Sequence, residues 1–177
     1  AYELCRRLEF KNLLGRFDAE AVPENTIEQN FFVCSELSGV EALFEKAARN
    51  SMAGIALIAD KNNVYGLGIA LEKEEVYYIP AEGLLSGEYL CEKLRKLGEA
   101  TVISAMDIKM LLKYVESLEP ERVFDLGIGA YLLNPLKSSY TYEDIAREYI
   151  GGISIPSREE LLGKETYEKA WEKSSEN

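Results

Sequence analysis

Any chemistry in this sequence of 177 residues has to proceed without histidine, because the chain contains none. A Ser-His-Asp triad, a Cys-His pair and a His-containing zinc site are therefore excluded. Carboxylates, lysines, tyrosines and cysteines remain, and carboxylates that hold magnesium are the main option among them. Two aspartates adjoin predicted elements: Asp60 closes an apolar run, and Asp107 stands alone near the start of a predicted helix.

The charge balance limits the partners. Acidic residues outnumber basic ones by 31 to 20, which gives a net charge of -11 at pH 7. A chain of this charge repels phosphate backbones, so we expect any DNA contact to be local or to come from a neighbouring domain.

The cysteine pattern and the hydropathy predict a cytoplasmic setting. Cys5, Cys34 and Cys91 are odd in number and widely spaced, so they suggest neither a disulfide framework nor a zinc site. We also find no apolar stretch of membrane-spanning length and no signal-peptide pattern, and we therefore expect a soluble protein with no membrane partner.

The elements that must position these residues can be read from periodicity. Apolar runs separated by short polar turns predict three antiparallel strands, at residues 53–60, 64–71 and 76–80. Helical spacing at 84–97 and 106–118 flanks a short strand at 101–104. This order predicts an α/β domain with a mixed sheet.

Two glycines and two tyrosines in the predicted strands are explained by packing. Gly66 and Gly68 lack the strand-to-helix context and the lysine of a phosphate-binding loop, so we interpret them as strand glycines that allow close packing. Tyr77 and Tyr78 alternate along one strand, which predicts that one ring points into the core and the other does not.

A distinctive apolar block follows. The run FDLGIGAYLLNP at 124–135 is too apolar for a solvated connection, and its glycines and closing proline predict a short, tightly packed helix. An acidic helix is predicted at 142–149. Residues 1–30 are interpreted as a lead-in helix and connector, and residues 31–177 as one globular domain.

These segments, taken in order, resemble the 3'-5' exonuclease domain of bacterial family A DNA polymerases, the DNA polymerase I type. The resemblance is carried by AMDIKMLL at 105–112, FD at 124–125, AYLLNP at 130–135, YEDIAREYIG at 142–151 and the lead-in ELCRRLEFKNLL at 3–14. It implies a ribonuclease H-like fold, in which a mixed sheet of an antiparallel meander plus parallel strands is flanked by helices. It also implies that the chain is a fragment of a longer polymerase.

Active members of this family hold two metal ions with four carboxylates, and an Asp-x-Glu pair on the first meander strand supplies two of them. The equivalent run here, AGIALIAD at 53–60, cannot provide that pair in any register. The pairs two residues apart are Ala56 with Ile58, Leu57 with Ala59, and Ile58 with Asp60.

Of the two remaining family motifs, one has a matching residue in this sequence and the other has none. Asp107 sits where the helix-borne metal aspartate would be, although an aspartate near a helix start is more simply explained by stabilisation of the N-terminal amides. The late Tyr-x-x-x-Asp motif has no match, since Tyr167 is followed four residues later by Trp171. Either the sequence stops at Asn177 before the region where the motif falls, or the motif has been lost.

The resemblance therefore predicts an exonuclease-like domain that has lost proofreading and acts as a scaffold in DNA replication and repair. It implies no cofactor in this domain, Mg²⁺ in the parent polymerase, contact with DNA through that polymerase, packing against the polymerase domain, and a monomer. The parent chain would be a DNA-directed DNA polymerase. The alternative is a nuclease that is still active through non-standard ligands such as Asp60, Asp107 and Asp125.

Overall fold

The computed structural model describes residues 31–61, 63–71 and 75–150, together with residues 160, 162, 163, 165, 166, 169 and 170. The predicted lead-in at 1–30 lies outside this range, as do Tyr167 and Trp171. The domain boundary at residue 31 and the interpretation of those residues therefore stay predictions.

The described residues form one six-stranded sheet. Its strands in chain order are β1 (Phe31–Val33), β2 (Met52–Ala59), β3 (Val64–Ala70), β4 (Val76–Pro80), β5 (Val102–Ala105) and β6 (Val123–Asp125). Across the sheet the order is β1-β4-β3-β2-β5-β6. The pairs β2–β3 and β3–β4 are antiparallel, while β1–β4, β2–β5 and β5–β6 are parallel. The predicted combination of a meander with parallel strands is confirmed.

Two long helices cover one face of the sheet, namely α1 (Leu37–Ala47) and α2 (Gly87–Ala100). The core that they close contains side chains that are at most 1% exposed, including Val40, Leu67, Ile69, Ile79, Leu90, Leu94, Ile103 and Val115. The helix α2 starts where its sequence allows capping, because the Ser86 hydroxyl accepts a hydrogen bond from the Tyr89 amide at 3.2 Å. No helix in the described ranges combines the length and apolar character needed to cross a membrane.

The helix predicted at 106–118 is shorter than its periodicity suggests. Only α3 (Ile108–Leu111) is α-helical, and turns follow it as far as Ser117, which has a left-handed φ of 65°. The turns tighten to i→i+3 hydrogen bonds, such as the one from the Tyr114 amide to the Leu111 carbonyl at 3.0 Å. Leu111 and Val115 still reach the core, so the apolar spacing is kept without a long helix.

The prediction for the apolar block was wrong in one respect. The helix α4 (Leu126–Leu133) forms as expected, but Ala130 is its only buried residue, so the helix is not tightly packed within the described part of the chain. The acidic segment predicted as a helix at 142–149 is helical throughout, as α5 (Tyr142–Ile145) followed by a π-helical turn at Ala146–Ile150.

Candidate functional site

The two faces of β2 determine whether it could hold a metal pair. Ala53, Ile55 and Leu57 belong to or pack against the buried core, so the residues between them point to the opposite face. On that face Ala56 is exposed and Ile58 is half-buried. The register Ala56 with Ile58 therefore lies outside the core and carries no oxygen ligand, and in the register Ile58 with Asp60 only Asp60 carries one.

The same face is made of small residues in the neighbouring strand. Ala56 pairs with Gly68, and Ile58 pairs with Gly66. A Cβ atom added at Gly66 would lie 2.6 Å from the Tyr78 ring and 2.9 Å from the Ile79 carbonyl oxygen. The prediction that these glycines serve close packing is confirmed at Gly66.

Tyr77 and Tyr78 occupy opposite faces, as predicted. Tyr77 packs against the core and stacks on Phe32, with ring centroids 5.3 Å apart. Tyr78 lies over Gly66, and burial raises its pKa to about 12. Tyr78 therefore stays protonated at neutral pH and is unsuited to act as a general base.

Asp60 has a structural role at the end of β2. Its carboxylate accepts hydrogen bonds from the Asn63 amide at 3.0 Å and from the Tyr65 hydroxyl at 2.8 Å. Its carbonyl accepts a hydrogen bond from the Tyr114 hydroxyl. Asp60 thus closes the turn between β2 and β3 and ties it to the segment after α3.

Asp107 is the N-cap of α3. One of its carboxylate oxygens accepts a hydrogen bond from the Met110 amide at 2.9 Å, and the side chain is otherwise exposed. This is the helix-start role that the sequence predicts for this residue.

Asp125 holds two helix ends with one carboxylate. It is the last residue of β6, where it pairs with Ala105 of β5. One carboxylate oxygen accepts the Ile128 amide of α4 and the other accepts the Ile108 amide of α3, both at 2.9 Å. The first bond is a local cap, and the second joins elements that are 17 residues apart.

A cleft of about 650 Å³ lies where the N-termini of α3, α4 and α5 come together. Its lining consists of Met106, Asp107, Asp125, Gly127, Ile128, Tyr131, Tyr140, Thr141, Tyr142 and Glu143. Each helix is already capped by its own side chain: Asp107 for α3, Asp125 for α4 and Thr141 for α5. The backbone amides that could otherwise receive a phosphate are therefore partly satisfied from within the chain.

The cleft combines aromatic walls with negative charge. The rings of Tyr131 and Tyr140 meet edge to face with centroids 5.8 Å apart, and burial raises the pKa of Tyr142. A hydrogen bond with the Thr141 side chain lowers the pKa of Glu143. In the described part of the chain no lysine or arginine forms an ion pair with Asp107, Asp125 or Glu143.

These residues do not fit a two-metal centre. Two divalent ions need several carboxylate oxygens that converge on them. No group of three or more Asp, Glu, Cys or His side chains among the described residues is arranged to hold a metal ion. Asp107 and Asp125 share the cleft but accept backbone amides, and Asp60 does not line it.

Sequence reasoning found Asp107 as a cap but missed the long-range bond of Asp125. The motif Phe124-Asp125 directly before a helix signals a local cap, and nothing in it indicates Ile108 as a second donor. The cleft itself was also missed, because its tyrosines come from α4, from the connection that follows it and from α5.

The sequence matches no protein-family model and no curated protein. Solved structures are nevertheless similar in fold. The EXO domain of Nibbler from Aedes aegypti matches with a TM-score of 0.55 at 13% identity, over 81% of this chain and 80% of that one. RNase D from Escherichia coli, an exoribonuclease involved in structured RNA processing, matches with a TM-score of 0.57 at 12% identity, over 80% of this chain.

A polymerase structure is similar as well. The POL domain of Pol1 from M. smegmatis, in complex with a DNA primer-template and dNTP, matches with a TM-score of 0.56 at 18% identity, over 70% of this chain. The present chain spans 40% of the RNase D chain and 23% of the Pol1 chain. The mixed six-stranded sheet flanked by helices has the ribonuclease H-like 3'-5' exonuclease fold of these neighbours.

Proposed function

We propose that this chain is a 3'-5' exonuclease-like domain that has lost metal-dependent hydrolysis and serves as a scaffold. The observation that carries the proposal is the outer face of β2, where, in this proposal, Ala56 and Ile58 occupy the positions at which an active exonuclease would require an Asp-x-Glu pair. Without that pair, Asp107 would have to hold a divalent ion nearly alone, and a single carboxylate binds magnesium poorly.

The parent protein that we propose is a bacterial DNA polymerase I. Support comes from the motifs AYLLNP and YEDIAREYIG and from the likeness to the Pol1 structure. In this proposal the chain is cytoplasmic and monomeric, packs against the polymerase domain, and meets DNA only through that domain in replication and repair. Magnesium would be bound by the polymerase domain and not by this one.

A nuclease assay tests the loss of activity. The purified chain is incubated with labelled single-stranded DNA and with single-stranded RNA, each in the presence of Mg²⁺ or Mn²⁺. We expect no degradation above that of a matched Asp107→Ala variant. Digestion by the unmodified chain that disappears in Asp107→Ala would overturn the proposal.

A converse test restores the missing ligands. The double change Ala56→Asp with Ile58→Glu places carboxylates on the outer face of β2, where Ala56 is exposed and Ile58 half-buried. We expect Mn²⁺ binding to appear in electron paramagnetic resonance titrations. The control is Ala56→Asn with Ile58→Gln, which has similar shape but no charge. Equal Mn²⁺ binding by both variants would contradict the assignment of this face.

The alternative function is a nuclease with unusual ligands, and one observation favours it: Asp107 and Asp125 line the same cleft. Crystals soaked in Mn²⁺ would then show an anomalous peak between these carboxylates. We expect no such peak, because both side chains are engaged by backbone amides.

The parentage has its own test. A reading frame that continues from this segment into the palm and fingers of a family A polymerase would support it, and a different neighbouring domain would refute it. Deletion of this domain from that polymerase should lower its melting temperature or its processivity.

A further inference from the structure

Most of the large apolar side chains of helix α4 are exposed. Its aliphatic side chains and the leucine that follows are mostly exposed: Ile128 60%, Leu132 73%, Leu133 74% and Leu136 93%. Ile128, Tyr131 and Leu132 follow i, i+3, i+4 spacing and so share one side of the helix. Large exposed apolar patches on soluble proteins mark interaction surfaces.

This surface continues into the acidic cleft. Ile128 and Tyr131 belong both to the exposed side of α4 and to the cleft lining. Of the basic residues that follow α4, Lys137 pairs with Glu148, and Arg147 pairs with Asp144 at 2.6 Å. The three carboxylates that line the cleft, Asp107, Asp125 and Glu143, form no ion pair within the described ranges.

We propose that α4 and the adjoining cleft form a docking surface for a protein segment that presents lysine or arginine beside aliphatic side chains. The aliphatic side chains would cover Leu132, Leu133 and Leu136. The cation would enter the cleft, where tyrosine rings and the carboxylates of Asp107, Asp125 and Glu143 both attract it. Charge complementarity selects this occupant over a second copy, because two chains of charge -11 repel each other.

The proposal deepens the scaffold role and rests on it, since a scaffold needs a surface by which it holds its neighbour. It is tested separately from the loss of hydrolysis. A chain that degrades nucleic acid and binds the probe described below would overturn the inactive role and support the docking surface. An inactive chain that does not bind the probe would overturn the docking surface and support the inactive role.

The probe is a short fluorescent peptide of leucine and arginine that forms an amphipathic helix, and its comparison is the same peptide with glutamate for arginine. In fluorescence anisotropy at about 150 mM salt, we expect saturable binding of the arginine peptide only. Leu132→Ser with Leu133→Ser should weaken binding about tenfold. Asp107→Asn with Glu143→Gln should weaken it about fivefold and reduce its salt dependence.

Matched controls distinguish binding at this surface from non-specific electrostatic and hydrophobic binding elsewhere on the chain. Glu45→Gln with Glu99→Gln removes two exposed carboxylates elsewhere, and Met52→Ser with Leu84→Ser removes two exposed apolar side chains elsewhere. Both should leave binding unchanged, and circular dichroism should show that every variant is folded. Equal binding of the glutamate peptide, equal losses in the controls, or no loss in the α4 variant would overturn the proposal. So would dimerisation in sedimentation experiments that the α4 substitutions abolish, since it would assign the surface to a second copy.

Discussion

At the scale of single residues, Asp125 contacts two helices, although its position in the sequence suggests contact with only one. Its two carboxylate oxygens accept the Ile108 and Ile128 amides, each at 2.9 Å, so one side chain links the starts of α3 and α4. Asp107, by comparison, is exposed and accepts one amide. The two aspartates therefore form a natural pair for measuring what the link between α3 and α4 contributes.

We predict that Asp125→Ala lowers the free energy of unfolding by about 2 kcal/mol, because it removes a cap and leaves a second amide without its acceptor. Asp107→Ala should cost about 1 kcal/mol, which is the usual loss for one exposed cap. Urea denaturation measures both values, and hydrogen exchange should accelerate at the Ile108 and Ile128 amides in Asp125→Ala. Equal losses in the two variants would show that the link to α3 contributes nothing.

The glycines of β3 offer a second comparison. A Cβ atom at Gly66 would approach the Tyr78 ring to 2.6 Å and the Ile79 carbonyl oxygen to 2.9 Å, whereas a Cβ atom at Gly68 would lie 3.4 Å from the Ala56 Cβ atom. We predict that Gly66→Ala destabilises the fold by about 2 kcal/mol through overpacking. Gly68→Ala should change stability by less than about 0.5 kcal/mol. Thermal unfolding followed by circular dichroism measures the loss of stability in both variants. Similar losses in Gly66→Ala and Gly68→Ala would contradict the packing argument.

At the scale of elements, α1 and α2 are clamped together by charged and polar groups. The Tyr89 hydroxyl donates to the Glu41 carboxylate at 2.6 Å, and the Lys93 ammonium forms an ion pair with the same group. Hydrogen bonds from Lys93 and Tyr89 lower the pKa of Glu41 from its ordinary value of 4.5. Folding therefore stabilises the ionised form of this side chain.

This clamp predicts a defined pH dependence. Because the pKa of Glu41 is lower in the folded chain, its contribution is complete above pH 4.5 and is lost as the pH falls through the folded value. The Glu41 side chain is 44% exposed, so we expect Glu41→Gln to cost only about 0.5 kcal/mol at neutral pH. The difference from the unmodified chain should shrink below pH 4.5. Glu45→Gln, on the same helix but 74% exposed, is the control and should show little effect. A constant difference across this pH range would rule out the clamp.

Element types were predictable because they follow from local pattern. The alternation of apolar residues and turns in 53–80 specifies the β2–β3–β4 meander, and the structure has these strands within one residue of the predicted bounds. The length of α3 was not predictable, because helical turns with i→i+3 bonds satisfy the same apolar spacing as an α-helix. The exposure of α4 was not predictable either, because an apolar helix has the same sequence pattern whether it is buried in its own chain or exposed.

Some features of the candidate site were likewise predictable from the sequence, and others were not. The absence of carboxylates from the outer face of β2 and the capping role of Asp107 could be inferred from residue type and spacing. The cleft could not, because it depends on how α3, α4 and α5 converge after separate turns. Only the tertiary structure brings Tyr131 next to Tyr140, or Asp125 next to Ile108.

At the scale of the whole molecule, the net charge of -11 opposes association with nucleic acid. Proteins that bind DNA through lysine and arginine release counterions, and their affinity falls steeply as salt rises. A chain of charge -11 has the opposite tendency, because added salt screens its repulsion from phosphate. The exonuclease fold alone therefore does not make this chain a DNA-binding protein.

We predict that the isolated chain shows no saturable binding to labelled single-stranded DNA near physiological ionic strength, and that the little association detected does not weaken as salt is raised. Fluorescence anisotropy across a salt series measures both properties. Asp107→Asn with Glu143→Gln serves as the control, because it removes two of the three carboxylates that line the cleft, leaving Asp125, and keeps the remaining acidic surface in place. If the acidic cleft alone repelled DNA, this variant would bind. Saturable binding by the unmodified chain with a steep loss of affinity at higher salt would instead reveal a local basic track, and the scaffold role would then have to include direct contact with DNA.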